Sequence, residues 1–232
     1  MSGYFITGTD TGVGKTVICG AIARALVLSG KRIGVMKPFE TGCITRNGGL
    51  VPEDALFLKE MAQCPEDIST ICPCRFTYPL APLVAASLEN VSIDIESVKN
   101  SFREMEKKYE TILVEGAGGI MVPIDNDYVT LDLIRDLGLP LIIVSRLSLG
   151  TINHTLLTVK QARQYGIKIA GIIFNQLTQE TGKAEETNPS VIQEFSHLPI
   201  LGQVPFISRK KRRDAAFLAK VAESCIDLPL MF

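Results

Sequence analysis

The sequence predicts a single α/β domain, residues 1–232, built on a doubly wound and mainly parallel sheet. Short apolar segments rich in β-branched residues alternate about seven times with segments of helical periodicity, and no internal repeat occurs. Continuous apolar strands of this kind are typical of parallel sheets that helices cover on both faces. No change in composition marks a second domain, and a chain of 232 residues can bury one core.

Composition and charge exclude several classes of protein. The formal net charge is −1 and 46% of the residues are hydrophobic, so no general affinity for nucleic acid or anionic membranes is expected. No apolar run has transmembrane length, and the first strand begins too early to leave room for a signal peptide, so we expect a cytoplasmic protein. The six cysteines include no C-x-x-C pair, which favours reduced thiols over a metal site.

The first predicted strand, residues 4–6, runs into a glycine-rich turn. Residues 8–16 read G-T-D-T-G-V-G-K-T, and a helix follows directly. Strand, glycine loop, Gly-Lys-Thr and helix are together typical of a phosphate-binding loop of the P-loop NTPase type. Backbone N–H groups, the helix N-terminus and Lys15 would bind phosphates, and the Thr16 hydroxyl would bind Mg²⁺. The loop is one residue longer than the common form, because Thr9 stands where its first glycine would be.

The second predicted strand, residues 32–36, ends at Lys37 because Pro38 cannot continue the pairing. Lys37 therefore lies at the carboxyl end of a strand, where open α/β sheets bind their ligands. Residues 39–42 are predicted to form a second short loop that faces the first. A helix follows with Asp54 in its first turn, a position where an acid usually caps the helix or interacts with its dipole.

A third predicted strand, residues 111–114, is followed by Glu115 and a glycine-rich stretch. Mg²⁺ prefers oxygen ligands and takes few of them from the protein. A carboxylate at this strand end, together with the phosphate loop, therefore favours a magnesium site.

The other predicted elements complete the alternation. They are an irregular connection (64–82), a helix that Asp94 caps (94–108), a short helix (129–137), a strand (140–144), a helix (149–165), a strand (168–174), a polar and mobile segment (177–188) and a last strand (200–205). The basic run 209–213 precedes a modestly amphipathic helix, 215–225. Its charges precede the helix rather than following the helix's polar face, which favours a solvated segment over a membrane-binding one.

Four motifs, in this order, resemble the dethiobiotin synthetase family. They are G-T-D-T-G-V-G-K-T (8–16), K-P-F-E-T-G (37–42), V-E-G-A-G-G (114–119) and L-G-T-I-N-H (149–154). The resemblance extends from residue 4 to about residue 205 and includes the lengthened phosphate loop. It implies an ATP- and Mg²⁺-dependent cyclo-ligase that carboxylates 7,8-diaminopelargonate with CO₂, phosphorylates the carbamate and closes the ureido ring, releasing ADP and phosphate. It also implies a homodimer.

The resemblance further implies roles for individual residues. The expected catalytic residues are Lys15, Lys37 and Thr11, and the expected Mg²⁺ ligands are Thr16, Asp54 and Glu115. The expected substrate contacts are Thr11, Lys37, Thr41, Gly118, Gly150 and Asn153. The expected nucleotide contacts are Gly12, Val13, Gly14, Lys15, Thr16, Val17, Asp54, Glu115, Gly116, Ala117, Gly118, Asn175, Gln176, Val204, Pro205 and Phe206. Because the carbamate and the γ-phosphoryl group are both anionic, catalysis should come mainly from charge neutralisation and alignment.

This chain departs from the family pattern at two places. Some members carry an acid where this chain has Gly12, so position 12 is given no side-chain role. Residues 177–188 do not align with the family, and no substrate contact is assigned there.

Two other classes share parts of this pattern. Nucleotide-switch ATPases of the partitioning or septum-positioning kind resemble one another in a second lysine five residues before Lys15, where this chain has Asp10. An amide-forming synthetase of cobalamin biosynthesis would need an additional glutamine-hydrolysing domain, for which the chain is too short. Stimulation of ATP hydrolysis by diaminopelargonate would favour the dethiobiotin synthetase family, whereas stimulation by lipid or DNA would favour a nucleotide-switch ATPase.

Overall fold

The computed structural model describes residues 2–232. Its strands are β1 (Ser2–Gly8), β2 (Ile33–Met36), β3 (Phe39–Thr41), β4 (Ile44–Arg46), β5 (Gly49–Val51), β6 (Cys74–Phe76), β7 (Thr111–Glu115), β8 (Pro123–Asp125), β9 (Tyr128–Val129), β10 (Leu141–Arg146), β11 (Ile169–Asn175) and β12 (Ile200–Val204). Its helices are α1 (Lys15–Leu28), α2 (Glu53–Met61), α3 (Ile68–Ile71), α4 (Pro82–Glu89), α5 (Ile95–Glu106), α6 (Thr130–Leu137), α7 (Thr151–Gln164), α8 (Lys183–Ser196), α9 (Ala215–Cys225) and α10 (Leu228–Met231).

Six parallel strands form the central sheet, in the order β12-β11-β10-β1-β7-β2. β1 lies inside the sheet, where Phe5 pairs with Leu141 of β10 and with Val114 of β7. Side chains of these strands are fully buried on both faces, among them Ile6 and Ile143. Their continuous apolar sequences are therefore explained by the cover that each face receives.

Helices provide that cover on both faces. The chain crosses from β1 to β2 in one direction along the sheet, and from β7 through β10 and β11 to β12 in the other. Because parallel crossovers are right-handed, opposite directions place the connecting helices on opposite faces. The observed helix contacts fall into separate groups: α1 contacts α2 and α9, whereas α7 contacts α8 and α5 contacts α6. The predicted doubly wound parallel fold is confirmed.

Within residues 2–232, no helix combines the length and the apolar character needed to cross a membrane. The six cysteines are all free thiols, and four of them are buried.

The predicted loop at residues 39–42 and the irregular connection at 64–82 were wrong in part. Pro38 does end pairing in the central sheet, but the chain stays extended and Phe39–Thr41 pairs in parallel with Cys74–Phe76. The carbonyl of Pro38 itself accepts a hydrogen bond from Cys74 N at 3.1 Å. A proline lacks a donor but keeps its acceptor, so a second small sheet can start beside it.

The prediction that residues 177–188 form a loop is wrong from residue 183 onward, where α8 begins, whereas the mobility of the segment stays a prediction. Gly182 N donates to Glu185 Oε2 at 2.9 Å, which caps the first turn. Asn188 is buried and donates to the carbonyl of Leu147 at 2.8 Å. Pro189 lies inside this helix. Because proline is unfavourable in the interior of a helix, residue propensities did not predict a helix here. The small hairpins β4–β5 and β8–β9, and the helix α4, were also not predicted.

Candidate nucleotide and substrate site

The phosphate loop lies between β1 and α1 at the carboxyl edge of the sheet. Gly14 has a φ of 94°, in the left-handed region that favours glycine. A Cβ at Gly14 would also lie 2.1 Å from Asn175 Nδ2, so a side chain there would displace Asn175. Asn175 Nδ2 donates to the carbonyl of Val13 at 2.9 Å. The end of β11 therefore holds the loop in place.

Lys15 is buried in this loop. Its Nζ donates to the carbonyl of Asp10 at 3.1 Å, so the side chain reaches back across the loop. Burial lowers the pKa of Lys15 to about 8, and the nearby carboxylates of Glu115 and Asp54 partly oppose that shift. An anion bound in the loop would favour the charged form of this lysine.

Lys37, Glu115 and Thr16 form a buried hydrogen-bonded group. Glu115 Oε1 accepts from Lys37 Nζ at 2.7 Å and from Thr16 Oγ1 at 2.8 Å. Lys37 Nζ also lies 3.7 Å from Asp54 Oδ2. Burial alone would lower the pKa of Lys37, but the charges of Glu115 and Asp54 outweigh it and hold the pKa above its usual value. The lysine is therefore charged at neutral pH, and it connects the ends of β2 and β7 with the starts of α1 and α2.

The oxygen atoms of this group are suitable ligands for Mg²⁺. Glu115 Oε2 is buried without a hydrogen-bond partner, and the Asp54 side chain is 51% exposed toward solvent. Mg²⁺ prefers such hard oxygen ligands and commonly takes only one or two carboxylates plus substrate phosphates. Among residues 2–232, no three His, Cys, Asp or Glu side chains are grouped to hold a metal by themselves. The donor set therefore fits an ion that a bound nucleotide helps to hold.

Glu40 is a site residue that the sequence did not reveal. Its buried carboxylate accepts from the backbone N atoms of Asp54, at 2.9 Å, and Ala55, at 2.8 Å. Burial raises the pKa of Glu40 to about 7, against the lowering effect of these two hydrogen bonds. Pro52, at the N-cap of α2, has no side-chain acceptor, so Glu40 satisfies N–H groups that the helix leaves unpaired. No local pattern indicates a cap that comes from a strand 14 residues earlier.

We expect Glu40→Ala to lower both stability and turnover, because it frees the first turn of α2 and with it Asp54. The loss of stability should be about 0.5–2 kcal/mol, the range for removing a helix cap. Asp94→Ala is a matched control, since Asp94 caps α5 through Ser97 N at 3.0 Å, away from this site. Thermal unfolding and steady-state turnover of both variants test this. If Glu40→Ala loses stability but keeps full turnover, its cap has no part in positioning Asp54.

A cavity of about 580 Å³ opens at this edge of the sheet. It brings together twelve of the predicted site residues: Thr11, Gly12, Gly14, Lys15, Thr16, Val17, Lys37, Thr41, Asp54, Glu115, Ala117 and Gly118. The lining residues that were not predicted are Phe39, Glu40, Pro79, Leu80, Ala81, Pro82, Val122 and Arg212. The connection 79–82 could not be placed from sequence, because its position depends on the unpredicted pairing of β3 with β6.

The other predicted site residues lie outside this cavity. They are Val13, Gly116, Gly150, Asn153, Asn175, Gln176, Val204, Pro205 and Phe206. Val13 and Asn175 hold the loop from behind, and Gln176 N donates to the carbonyl of Val204 at 2.9 Å where β11 and β12 end. These residues thus form the neighbouring part of the same edge, next to the phosphate loop.

Gly150 and Asn153 begin α7, which hydrogen bonds connect to the phosphate loop. Ser145 Oγ lies 2.7 Å from Thr151 Oγ1 and 3.3 Å from Thr9 Oγ1. The Asn153 side chain is exposed rather than directed into the core. The start of α7 is therefore fixed relative to the loop while Asn153 remains open to solvent.

A buried lysine in a glycine loop, joined through Thr16 to a strand-end carboxylate on a parallel sheet, defines a P-loop nucleotide-binding protein. Comparison with known proteins identifies the family. A family model described as an AAA domain matches residues 2–212. The ATP-dependent dethiobiotin synthetase of Thermodesulfovibrio yellowstonii is 44% identical over 89% of this chain and 90% of its own. The Bacillus subtilis enzyme of the same name is 42% identical over 95% of this chain and 94% of its own. The chain belongs to the dethiobiotin synthetase family.

Solved structures with the same architecture are more distant in sequence. A ParA family ATPase from Chlorobium tepidum superposes with a TM-score of 0.57 at 14% identity, covering 99% of this chain and 96% of its own. The MinD cell division protein of Aquifex aeolicus gives 0.53 at 17% identity, over 95% of this chain and 87% of its own. At these identities the likeness shows a shared fold alone.

Proposed function

We propose that the protein forms dethiobiotin from 7,8-diaminopelargonate, CO₂ and ATP, with Mg²⁺ required. Membership of the dethiobiotin synthetase family supports this proposal. The observation that carries it is the hydrogen-bonded group of Lys37, Glu115 and Thr16. This group connects the phosphate loop, which follows β1, to a second buried lysine, which follows β2, and β7 lies between these two strands in the sheet.

The reaction has three covalent steps. One amine of the substrate attacks CO₂ and loses a proton to give a carbamate. A carbamate oxygen then attacks the γ-phosphorus of ATP, and ADP leaves. The second amine then attacks the carbon of this carbamic-phosphoric anhydride and loses a proton, phosphate leaves, and the cyclic urea is closed. The second step brings two anions together, so it depends most on cations held in place beforehand.

The side chains of the cavity are suited to that need. Lys15 would bind the β- and γ-phosphates from the loop, while Lys37 would bind the carbamate and the transferring phosphoryl group from the opposite side. Thr11 and Thr41 line the same cavity and would hydrogen-bond the nitrogen and oxygen atoms of the carbamate. Thr16, Asp54 and Glu115 would hold Mg²⁺, which when bound supplies further neutralisation of phosphate charge.

The adenine would lie beside the ends of β11 and β12. Asn175 uses one N–H group to hold Val13, which leaves its second N–H and its carbonyl oxygen for a base. Gln176 and the backbone of residues 204–206 would complete this part of the site. ATP as co-substrate also favours a cytoplasmic location.

The competing hypothesis is that the protein is a nucleotide-switch ATPase with the same fold. Asp10 stands where that class has its second lysine, and Arg146 Nη1 lies 3.8 Å from Asp10 Oδ2. An acidic group paired with an arginine does not supply the cation of that class. Phosphate release in the presence of diaminopelargonate and bicarbonate tests the two readings. We expect diaminopelargonate to stimulate it, whereas stimulation only by lipid vesicles or DNA would overturn the proposal.

We also propose a homodimer formed through the start of α7, with Gly150 and Asn153 near the carboxylate of the substrate. Leu149 is 85% exposed and Leu157 is 58% exposed, and Asn153 lies between them in sequence. Large apolar side chains this exposed, beside a polar residue that is expected to bind substrate, support an interface at this face.

Leu157→Glu is expected to dissociate the dimer, because it would place two charges in an apolar contact. Leu28→Glu is the matched control: Leu28 is 56% exposed at the far end of α1. Sedimentation velocity at working concentration measures both variants beside the native protein. A native protein that is monomeric while active would contradict the proposal.

A further inference from the structure

The basic run 209–213 has one member that differs from the rest. Lys211 Nζ donates to Asp214 Oδ2 at 3.0 Å, and Arg213 Nη2 lies 4.0 Å from Glu53 Oε2. Arg209 and Lys210 are exposed. Arg212 alone is half-buried and lines the cavity that contains Lys15 and Lys37. The expectation of a solvated run is therefore wrong for this residue.

The guanidinium of Arg212 is held in place but not neutralised. Its Nε donates to the carbonyl of Ile207 at 3.0 Å, which fixes the side chain against its own loop. Among residues 2–232, no carboxylate oxygen lies within 4.0 Å of it, and its Nη atoms have no protein hydrogen-bond partner. A positioned arginine with free N–H groups is suited to an anion with several oxygens, such as phosphate.

The lysines of the cavity already have partners in the protein. Lys37 is already paired with Glu115 and Asp54, and Lys15 donates to a backbone carbonyl. The lining also contains three carboxylates, Glu40, Asp54 and Glu115, against the two lysines. Lys15 and Arg212 are therefore the two cations of this cavity that have no carboxylate within 4.0 Å among residues 2–232, and Arg212 is the one whose terminal N–H groups have no protein acceptor.

We propose that Arg212 binds the phosphate groups of the nucleotide from the C-terminal side of the cavity. This inference rests on the proposed function, since it requires a nucleotide in this cavity. It adds a phosphate contact to those of the glycine loop and assigns a function to a segment that follows the last strand of the sheet.

Calorimetric titration of the full-length protein with Mg-ATP and Mg-ADP tests this proposal. Arg212→Gln should weaken both affinities by about ten- to a hundredfold, the effect expected from losing charge-assisted hydrogen bonds. Arg212→Lys keeps the charge but lacks the planar guanidinium group with its several N–H donors. Its affinities should therefore lie between those of Arg212→Gln and those of the native protein. Arg209→Gln is the matched control from the same run, and it should change affinity by less than about twofold.

Two results would overturn the proposal. One is native affinity in Arg212→Gln, and the other is an equal loss in Arg209→Gln, which would assign the effect to the overall charge of the run. Thermal unfolding checks that each variant is folded. If Arg212→Gln is not folded, the test uses Arg212→Lys, which keeps the aliphatic stem of the side chain. Failure of the proposed function is recognised separately, because it would appear as native protein that binds Mg-ATP without forming dethiobiotin.

Discussion

Lys37→Gln is expected to bind Mg-ATP nearly normally and yet to lose ring closure. Lys37 follows β2 and lines the same cavity as the phosphate loop, so in the proposed reaction its charge should matter most as the carbamate and the phosphoryl group approach each other. Such an interaction belongs to the transition state more than to nucleotide binding. Removing one preorganised electrostatic donor costs about 3–4 kcal/mol, or roughly a hundred- to a thousandfold in rate.

The structure makes glutamine the suitable replacement. Lys37 is buried against Glu115, and an apolar side chain would leave that carboxylate without its cation and with the donor from Thr16 but not the one from Lys37. Glutamine removes the charge but keeps an amide N–H donor at the end of the side chain. Turnover and ATP affinity by calorimetry should be measured on the same preparation. Lys15→Gln provides the contrast, since it should lose nucleotide binding and turnover together. Near-normal turnover in Lys37→Gln, or ATP binding lost in proportion to turnover, would remove Lys37 from catalysis.

Replacing Asp54 or Glu115 is expected to abolish most turnover through loss of Mg²⁺, but only the replacement of Glu115 should also lower stability. Asp54 is half-exposed, so Asp54→Asn should lose activity without a change in the unfolding temperature. Glu115 is fully buried and pairs with Lys37, so Glu115→Ala should also destabilise the fold by about 3–5 kcal/mol, the cost of an unpaired buried charge. Glu115→Gln keeps a hydrogen-bond acceptor for Lys37 and should separate the loss of metal from the loss of stability.

The measurement for these variants is the binding of Mn²⁺, in place of Mg²⁺, in the presence of ADP, followed by electron paramagnetic resonance. We expect the affinity to fall at least about tenfold in Asp54→Asn and in Glu115→Gln, on the scale known for disturbed metal sites. Thermal unfolding is recorded in parallel. Native Mn²⁺ affinity and full turnover at limiting Mg²⁺ in either variant would exclude that residue from the metal site.

The sequence predicted those site residues that belong to short contiguous motifs. Lys15 and Thr16 follow a glycine loop, and Glu115 ends an apolar strand, so local pattern alone brought them to one edge of a parallel sheet. Lys37 was placed at that edge by Pro38. Its burial and its pairing with Glu115 were not predictable, because the two residues are 78 positions apart.

The parts that sequence could not supply depend on distant segments. Asn175 holds Val13 across 162 positions, and Glu40 caps a helix that belongs to another segment. The small sheet of β3 and β6 is equally nonlocal, because Cys74–Phe76 is too short to show a period. Arg212 was predicted to be solvated like its neighbours, since the sequence of a basic run does not indicate which side chain is directed into a cavity. These features position or extend the site, whereas the residues that define its class lie in contiguous motifs.

The central claim, that this protein closes a ureido ring at the expense of ATP, is tested most directly with labelled bicarbonate. The native protein is incubated with ATP, Mg²⁺, diaminopelargonate and the label, and the products are acidified. Free carbamates lose their label in acid, whereas a cyclic urea retains it. We predict acid-stable label in dethiobiotin, formed in equal amount with phosphate. Phosphate release without any acid-stable label would contradict the account.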